Sequence, residues 1–182
     1  PEMSRGLGDV YKRQLYTALK ALVNPGDEVI LPAPYWVSYY ELIQMVGGVP
    51  VVVETTEENG FNLTPQQLRQ AITPKTKALI LNSPSNPTGM IYSRQHLEDL
   101  AQVCLEADLY VIADEMYSKL IFDGKEFVSF PTLSEAVKAH TILVNGASKT
   151  YAMTGWRIGF AAASREITQV MKDANYDENC CG

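Results

Sequence analysis

Short apolar segments alternate with amphipathic helical patterns along most of the chain. Residues 76–81 and 110–114 are nearly continuous in apolar character, whereas residues 94–107 place apolar side chains at the spacing of one helix face. Strands without an alternating polar face are buried on both sides of a sheet, and intervening helices supply that cover. The sequence therefore predicts an α/β fold with a mostly parallel sheet between two helical layers. The predicted strands are residues 28–31, 49–53, 76–81, 110–114, 141–144 and 157–162, and the predicted helices are residues 15–23, 36–46, 65–72, 94–107 and 165–172.

Composition narrows the classes of partner. The chain has 182 residues, with 15 Lys and Arg against 21 Asp and Glu and a formal net charge of −6. This balance argues against a nucleic-acid backbone or an anionic membrane as partner, so small-molecule or protein partners are expected. No apolar run has the length of a membrane span and no secretory leader pattern is visible, so we expect a cytoplasmic location. Cys104, Cys180 and Cys181 lack the spacing of metal ligands, and no metal site is predicted.

Polar motifs follow three of the predicted strands. They are residues 82–89 (NSPSNPTG), 114–117 (DEMY) and 145–149 (NGASK). The carboxyl ends of parallel strands meet at one edge of a sheet, where α/β proteins bind their ligands. The sequence therefore predicts a binding site formed by these motifs.

Side chains in or near these motifs could carry chemistry, although each also has an ordinary explanation. Lys149 could be partly desolvated, which would lower the pKa of its amine and make it a nucleophile for a carbonyl; an exposed loop lysine is the alternative. Asp114 ends a buried strand and needs a partner or local hydrogen bonds. Arg157, predicted at a strand start, could bind an anion or form a surface ion pair. Trp36 and Tyr117 could be binding-site or core aromatics.

Together, these motifs resemble the class I, fold-type I aminotransferases, the aspartate aminotransferase superfamily that uses pyridoxal 5′-phosphate. Residues 146–159 (GASKTYAMTGWRIG) are similar to the family's cofactor-lysine signature, with lysine and arginine eight residues apart. Residues 85–89 (SNPTG) and 114–117 (DEMY) are similar to two further family motifs. Residues 34–39 (PYWVSY) resemble the bacterial aspartate aminotransferase branch in particular. The resemblance implies the three-layer, cofactor-binding large domain of this fold, with the small C-terminal domain absent.

The resemblance implies a role for each residue toward the cofactor. Lys149 would form a Schiff base with the cofactor aldehyde and then act as general base and acid in the proton shift. Asp114 would pair, as a carboxylate, with the pyridinium nitrogen. Asn86 and Tyr117 would reach the phenolic oxygen, and Trp36 would stack on the pyridine ring.

The phosphate and the substrate would be held by the remaining residues. Arg157 would bind the phosphate, helped by Ser148, and Trp36 and Asn86 would also border the substrate. The implied reaction moves an amino group between an L-amino acid, aspartate first, and a 2-oxo acid such as 2-oxoglutarate. The full-length protein is expected to be a homodimer. Two alternatives stay open: another fold-type I reaction, by a lyase or a synthase, and a catalytically silent truncated fragment.

Both ends of the chain depart from the family pattern. The family has a Gly-(Ala/Gly)-Lys-type phosphate loop upstream of residue 15, and residues 5–14 (RGLGDVYKRQ) do not match it. This segment resembles a translated sequencing-adaptor remnant. We therefore expect residues 1–14 to be a non-native leader, residues 15–173 a partial cofactor-binding large domain, and residues 174–182 a non-native tail.

Overall fold

The computed structural model describes the backbone of residues 3–4 and 11–179 and the side chains of residues 11–174. Residues 5–10 of the expected leader, and Cys180 and Cys181, lie outside the described residues. The strands are β1 Met3–Ser4, β2 Glu28–Ala33, β3 Val49–Glu54, β4 Thr76–Asn82, β5 Tyr110–Asp114, β6 Thr141–Gly146 and β7 Gly159–Ala162. The helices are α1 Tyr11–Leu22, α2 Ser38–Met45, α3 Pro65–Ala71, α4 Arg94–Glu106, α5 Glu135–Ala139, α6 Ala147–Thr150 and α7 Arg165–Asn179. No helix among the described residues is long and apolar enough to cross a membrane.

Within the described residues, the strands form one sheet in the order β1-β7-β6-β5-β4-β2-β3. Strands β2 to β6 are parallel to one another, and β7 is antiparallel to both β6 and β1. The mostly parallel sheet predicted from the sequence is thereby confirmed. Helices cover both faces of the sheet. Successive side chains of a strand point to opposite faces, and both faces are apolar, so each face needs a helical layer to cover it.

Two apolar clusters fill the space between the sheet and its helical layers. One contains side chains of α1, α2 and α7 and includes Ile80 and Ile112 of the sheet. The other contains side chains of α3, α4 and α5 and includes Leu79 and Val111. Adjacent residues of a strand thus belong to opposite clusters, which is the physical reason for the continuous apolar runs in the sequence.

Local polar signals set the starts of several helices as the sequence predicts. Thr64 accepts a hydrogen bond from the backbone of Gln67, whose side chain accepts one from the Thr64 backbone. Ser93 accepts a hydrogen bond from the His96 backbone at the start of α4. Such caps satisfy backbone N–H groups that have no partner inside the helix.

Several predicted boundaries are wrong. Residue 36 does not begin a helix, because the Tyr39 N–H donates to Trp36 O in a turn and α2 begins at Ser38. Strand β2 continues through Pro32, which is tolerated because β2 pairs with β4 only over residues 28–30. Helix α7 continues past residue 172, and the short helix α5 was not predicted.

The ends of β4, β5 and β6 bring the three polar motifs to one edge of the sheet. Asn82 is the register partner of Asp114, and Asp114 is the partner of Val144. Asp114 therefore lies between the motif that follows β4 and the motif that follows β6.

Candidate active site

A cavity of about 240 Å³ opens at this edge of the sheet. Six of the seven predicted site residues line it, and the seventh, Asp114, forms hydrogen bonds with four of its lining residues. All the charged side chains among its described lining residues are cationic, namely Lys12, Lys149 and Arg157. The lining residues are Tyr11, Lys12, Trp36, Tyr39, Asn82, Asn86, Met116, Tyr117, Ser148, Lys149, Thr154 and Arg157.

Asp114 is a fully buried carboxylic acid at the inner end of the site. The hydroxyls of Tyr11 and Tyr39 both donate to its Oδ2, and the Met116 N–H donates to its Oδ1 at 3.2 Å. Burial raises the pKa of Asp114 to about 8, the nearby Glu115 adds to this rise, and the Met116 hydrogen bond opposes it. A cationic donor beside Asp114 would favour the carboxylate form, which the resemblance requires.

A chain of hydrogen bonds through two asparagines connects Asp114 to Tyr117. Asn82 Nδ2 donates to the Asp114 backbone carbonyl at 3.0 Å, and the Asn86 N–H donates to Asn82 Oδ1 at 2.7 Å. Asn86 Nδ2 in turn donates to the Tyr117 hydroxyl at 3.4 Å. Burial and the charge of Asp114 raise the pKa of Tyr117, so its hydroxyl keeps its proton and remains a donor. The Asn86 amide and the Tyr117 hydroxyl are therefore close together. The predicted contact of both groups with the phenolic oxygen of the cofactor requires this proximity.

Lys149 lies in α6, the single helical turn that follows β6. Its Nζ is 5.8 Å from the centroid of the Tyr117 ring. The side chain is exposed, which agrees with the second of the two alternatives that the sequence left open for this lysine. Helix α6 has no buried residue, and Lys149 is one of the residues that line the cavity.

Arg157 and Ser148 lie on the same side of the cavity as the lysine. The prediction that Arg157 begins a strand is wrong. Arg157 has a left-handed φ of 55° and follows the 3-10 turn Thr154–Trp156. Few non-glycine residues adopt this backbone conformation, and it ends the turn two residues before β7. The Arg157 guanidinium is exposed and donates to Thr154 O at 3.0 Å, which leaves further N–H groups available for an anion.

Trp36 forms the aromatic wall and lies just before α2. The centroid of the Tyr11 ring is 5.6 Å from that of Trp36, with a tilt of 36° between the planes. Tyr39 contacts the indole edge to face, with 5.4 Å between centroids, and Lys12 Nζ lies 5.0 Å from the ring centroid. The half-buried indole is therefore in contact with two aromatic rings and one ammonium group, the kinds of group that bind to an aromatic face.

Sequence reasoning missed Tyr11, Lys12 and Tyr39 as site residues. The first two were set aside with residues 1–14, although the structure places them in the first turn of α1, where they line the cavity. Tyr39 follows Trp36 by three residues, a spacing that brings side chains together on one side of a turn. That spacing could have identified Tyr39 before the structure was known.

Glu115 is a second buried carboxyl next to Asp114, and it points away from the cavity. The Ser129 hydroxyl donates to both its oxygens, at 2.9 and 2.7 Å, and the Phe130 N–H donates to Oε1 at 2.9 Å. Burial raises the pKa of Glu115 to about 7, which these hydrogen bonds partly oppose. Glu115 therefore fixes the chain after β5 to residues 129–130 and does not contribute to the site surface.

We expect Gly146→Ala to destabilise the fold by about 1–3 kcal/mol, the usual cost of overpacking. A Cβ at Gly146 would lie 2.8 Å from Ile158 O and 2.9 Å from Met116 Cε. Ile158 O cannot move away freely, because it accepts a hydrogen bond from the Ala147 N–H at 3.1 Å. Urea unfolding measures the effect, with Gly155→Ala as the control because no atom lies within 4 Å of its Cβ position. Equal losses in the two variants would contradict this close contact.

The comparisons with known proteins agree with this arrangement. The family model for aminotransferase class I and II matches residues 10–176. The chain belongs to this family. This match confirms the resemblance predicted from the lysine motif (residues 146–159), the SNPTG motif (residues 85–89) and the DEMY motif (residues 114–117).

Relatives and solved structures point to the same branch. The chain is 52% identical to the aspartate aminotransferase of Bacillus sp. (strain YM-2) over 162 residues, 89% of this chain and 41% of that protein. It is 53% identical to the aspartate aminotransferase of Geobacillus stearothermophilus over the same shares of both chains. The crystal structure of the aspartate aminotransferase from Rhizobium meliloti matches with a TM-score of 0.89 at 41% identity, covering 94% of this chain and 43% of that one. The predicted fold class is thereby confirmed, and the chain spans about 41% of the length of the first two relatives.

Proposed function

We propose that the cavity holds pyridoxal 5′-phosphate and that the protein moves an amino group between an L-amino acid, aspartate first, and a 2-oxo acid such as 2-oxoglutarate. The observation that carries this proposal is the convergence of the predicted residues from three strand ends and the Trp36 turn on one cavity. The relatives named as aspartate aminotransferases support the choice of reaction and substrate.

The residues present fit the proposed cofactor. A buried carboxyl at one end of the cavity suits a ring nitrogen that carries a proton, and the Trp36 indole suits a flat ring beside it. Arg157, with Ser148 nearby, supplies cationic and hydroxyl donors for a phosphate dianion. These groups are different in kind, and their distribution around the cavity matches a ligand with a cationic, a flat and an anionic part.

When bound, pyridoxal 5′-phosphate supplies an aldehyde that accepts amines and a protonated ring that withdraws electrons from the substrate Cα. Lys149 would donate its amine to that aldehyde and, once replaced by the substrate amine, would take the proton from Cα. Asp114 would accept a hydrogen bond from the ring nitrogen and keep that nitrogen protonated. Asn86 and Tyr117 would donate to the phenolic oxygen, and Asn86 and Trp36 would also border the substrate.

We also propose that the full-length protein is a homodimer. Three large apolar side chains near the site are strongly exposed: Val37 is 76% exposed, Tyr151 69% and Trp156 70%. They lie within two residues of Trp36, Lys149 and Arg157 in the sequence, and exposed apolar residues beside a binding site are typical of a protein interface. A cytoplasmic location, the identity of residues 1–14 and 174–182 as non-native, and residues 15–173 as a partial large domain stay predictions.

Covalent capture tests the proposed site. We expect that incubation with pyridoxal 5′-phosphate, followed by borohydride reduction and peptide mass spectrometry, labels Lys149 ahead of every other lysine. The reason is that Lys149 lines a cavity whose other cationic and hydroxyl groups would hold the phosphate. A label spread evenly over surface lysines would contradict the site.

Isotope transfer tests the reaction. Transamination moves ¹⁵N from labelled aspartate into glutamate when 2-oxoglutarate is added, whereas a lyase or a synthase releases different products. Labelling of Lys149 with neither transfer of ¹⁵N nor any other product from the amino acid would identify a cofactor-binding but catalytically silent fragment.

A further inference from the structure

The oxygens of Asp114 are already engaged by groups of the chain itself. Oδ1 accepts the Met116 N–H at 3.2 Å, and Oδ2 accepts both the Tyr11 and the Tyr39 hydroxyl. A ring nitrogen that is to donate to Asp114 must therefore replace one of these donors or share its oxygen.

Tyr39 is the donor that stays. Its side chain is only 1% exposed, and it contacts the Trp36 ring from within the apolar cluster of α1, α2 and α7. Removing its hydroxyl from Asp114 would require repacking of that cluster, which is costly in a closely packed interior.

Tyr11 is the donor that can leave. It lies at the first residue of α1 and is only half-buried, and its ring borders the cavity. The first turn of a helix is its least constrained part, because its backbone N–H groups have no partner inside the helix.

The position of the Tyr11 ring is the position that a cofactor ring needs. Its plane is tilted by 36° from that of Trp36, at 5.6 Å between centroids, and its hydroxyl donates to Asp114. A pyridine ring that stacks on Trp36 and donates to Asp114 makes the same two contacts. Two rings cannot fill this space at once, since close-packed atoms exclude each other.

We propose that Tyr11 competes with the cofactor ring for Asp114 and Trp36, so that the cofactor binds only after the Tyr11 side chain has moved out of the cavity. This inference rests on the proposed function. Its consequence is that the affinity for pyridoxal 5′-phosphate is set partly by the residue at position 11, outside the motifs that carry the family resemblance.

Binding titrations of Tyr11 variants test the competition. We expect Tyr11→Ala to bind pyridoxal 5′-phosphate about tenfold more tightly, the factor that corresponds to one hydrogen bond and one aromatic contact that no longer compete. Tyr11→Phe removes the hydroxyl and keeps the ring, so a smaller gain is expected. In a Trp156→Phe background, Trp36 is the remaining tryptophan and its fluorescence quenching reports binding at the site.

Matched controls separate competition from unfolding. Tyr16→Phe changes a half-buried tyrosine of the same helix that does not line the cavity, and it should leave the affinity unchanged. Circular dichroism verifies that the variants are folded, and Tyr11→Phe keeps the test decisive if Tyr11→Ala does not fold.

The outcomes for the two proposals are distinct. Equal, measurable affinities in wild type, Tyr11→Ala and Tyr11→Phe would overturn the competition and leave the proposed function standing. No binding and no Lys149 label in any variant would overturn both. Tighter binding in the Tyr11 variants, with Tyr16→Phe equal to wild type, would establish Tyr11 as the competitor.

Discussion

Lys149→Ala abolishes the covalent capture of pyridoxal 5′-phosphate at the site, and this is the largest effect that we expect. Lys149 is the lysine of the NGASK motif and lies 5.8 Å from the Tyr117 ring at the cavity mouth. No lysine that lines the cavity should carry the label after borohydride reduction. In any form of the protein that transfers ¹⁵N from aspartate to glutamate, the rate should fall by about 10²–10⁴-fold or more, the contribution of a positioned acid–base group.

Two further variants separate the amine from its charge. Lys149→Arg keeps a cation at the cavity mouth but has no amine that can add to an aldehyde, so we expect it to lose the label as well. Lys119→Ala removes an exposed lysine that does not line the cavity, and it should be labelled at Lys149 like wild type. Full capture elsewhere in the cavity by Lys149→Ala, at Lys12 for example, would show that the role was assigned to the wrong lysine.

The fold could be predicted well because its strands are buried on both faces. Residues 110–114 are predicted and observed as a strand without any difference in bounds, since every side chain there packs against one of two helical layers or ends the strand. The boundaries that failed depend on information that is not local. Pro32 is compatible with β2 only because the pairing between β2 and β4 ends at Ile30. The position of that end depends on the register between segments that are distant in sequence.

The site could be predicted as a set of residues but not in its conformation. The parallel register brings Asn82, Asp114 and Val144 side by side, and this follows from the predicted topology. The exposure of Lys149 depends on the short helix α6, and the left-handed backbone of Arg157 depends on the turn between α6 and β7; no periodicity in the sequence describes either segment. Tyr11 was missed because a mismatch in sequence was taken to mean a lack of contact with the site.

Asp114→Asn is expected to weaken the binding of pyridoxal 5′-phosphate by about 10–100-fold, because a hydrogen bond to a charged group is lost. The side chain keeps nearly its shape, so the variant changes the charge and not the volume at the end of the cavity. Fluorescence quenching of Trp36 in the Trp156→Phe background measures the affinity. An unchanged dissociation constant would show that Asp114 does not pair with the ring nitrogen.

The same substitution should change how the stability of the cofactor-free chain depends on pH. Burial raises the pKa of Asp114 from 3.8 to about 8, so the folded state holds a proton that the unfolded state releases as the pH rises between these values. The free energy of unfolding therefore falls across this window, at about 1.4 kcal/mol for each unit of pKa difference. Glu115, whose pKa is raised to about 7, adds to the same fall.

Urea unfolding at pH 5 and pH 8 measures this dependence in the cofactor-free chain. Wild type should be less stable at pH 8 by several kcal/mol, whereas Asp114→Asn should lose much of the difference because an amide does not titrate. Glu115→Gln is the matched variant, since it removes the other buried carboxyl and leaves the cavity wall intact. If Asp114→Asn kept the full pH dependence and Glu115→Gln abolished it, the titration would belong to Glu115 and Asp114 would be ionised in the folded chain even before a cation binds. The competition by Tyr11 would then be stronger, because its hydroxyl would donate to a charged carboxylate that the cofactor ring must take over.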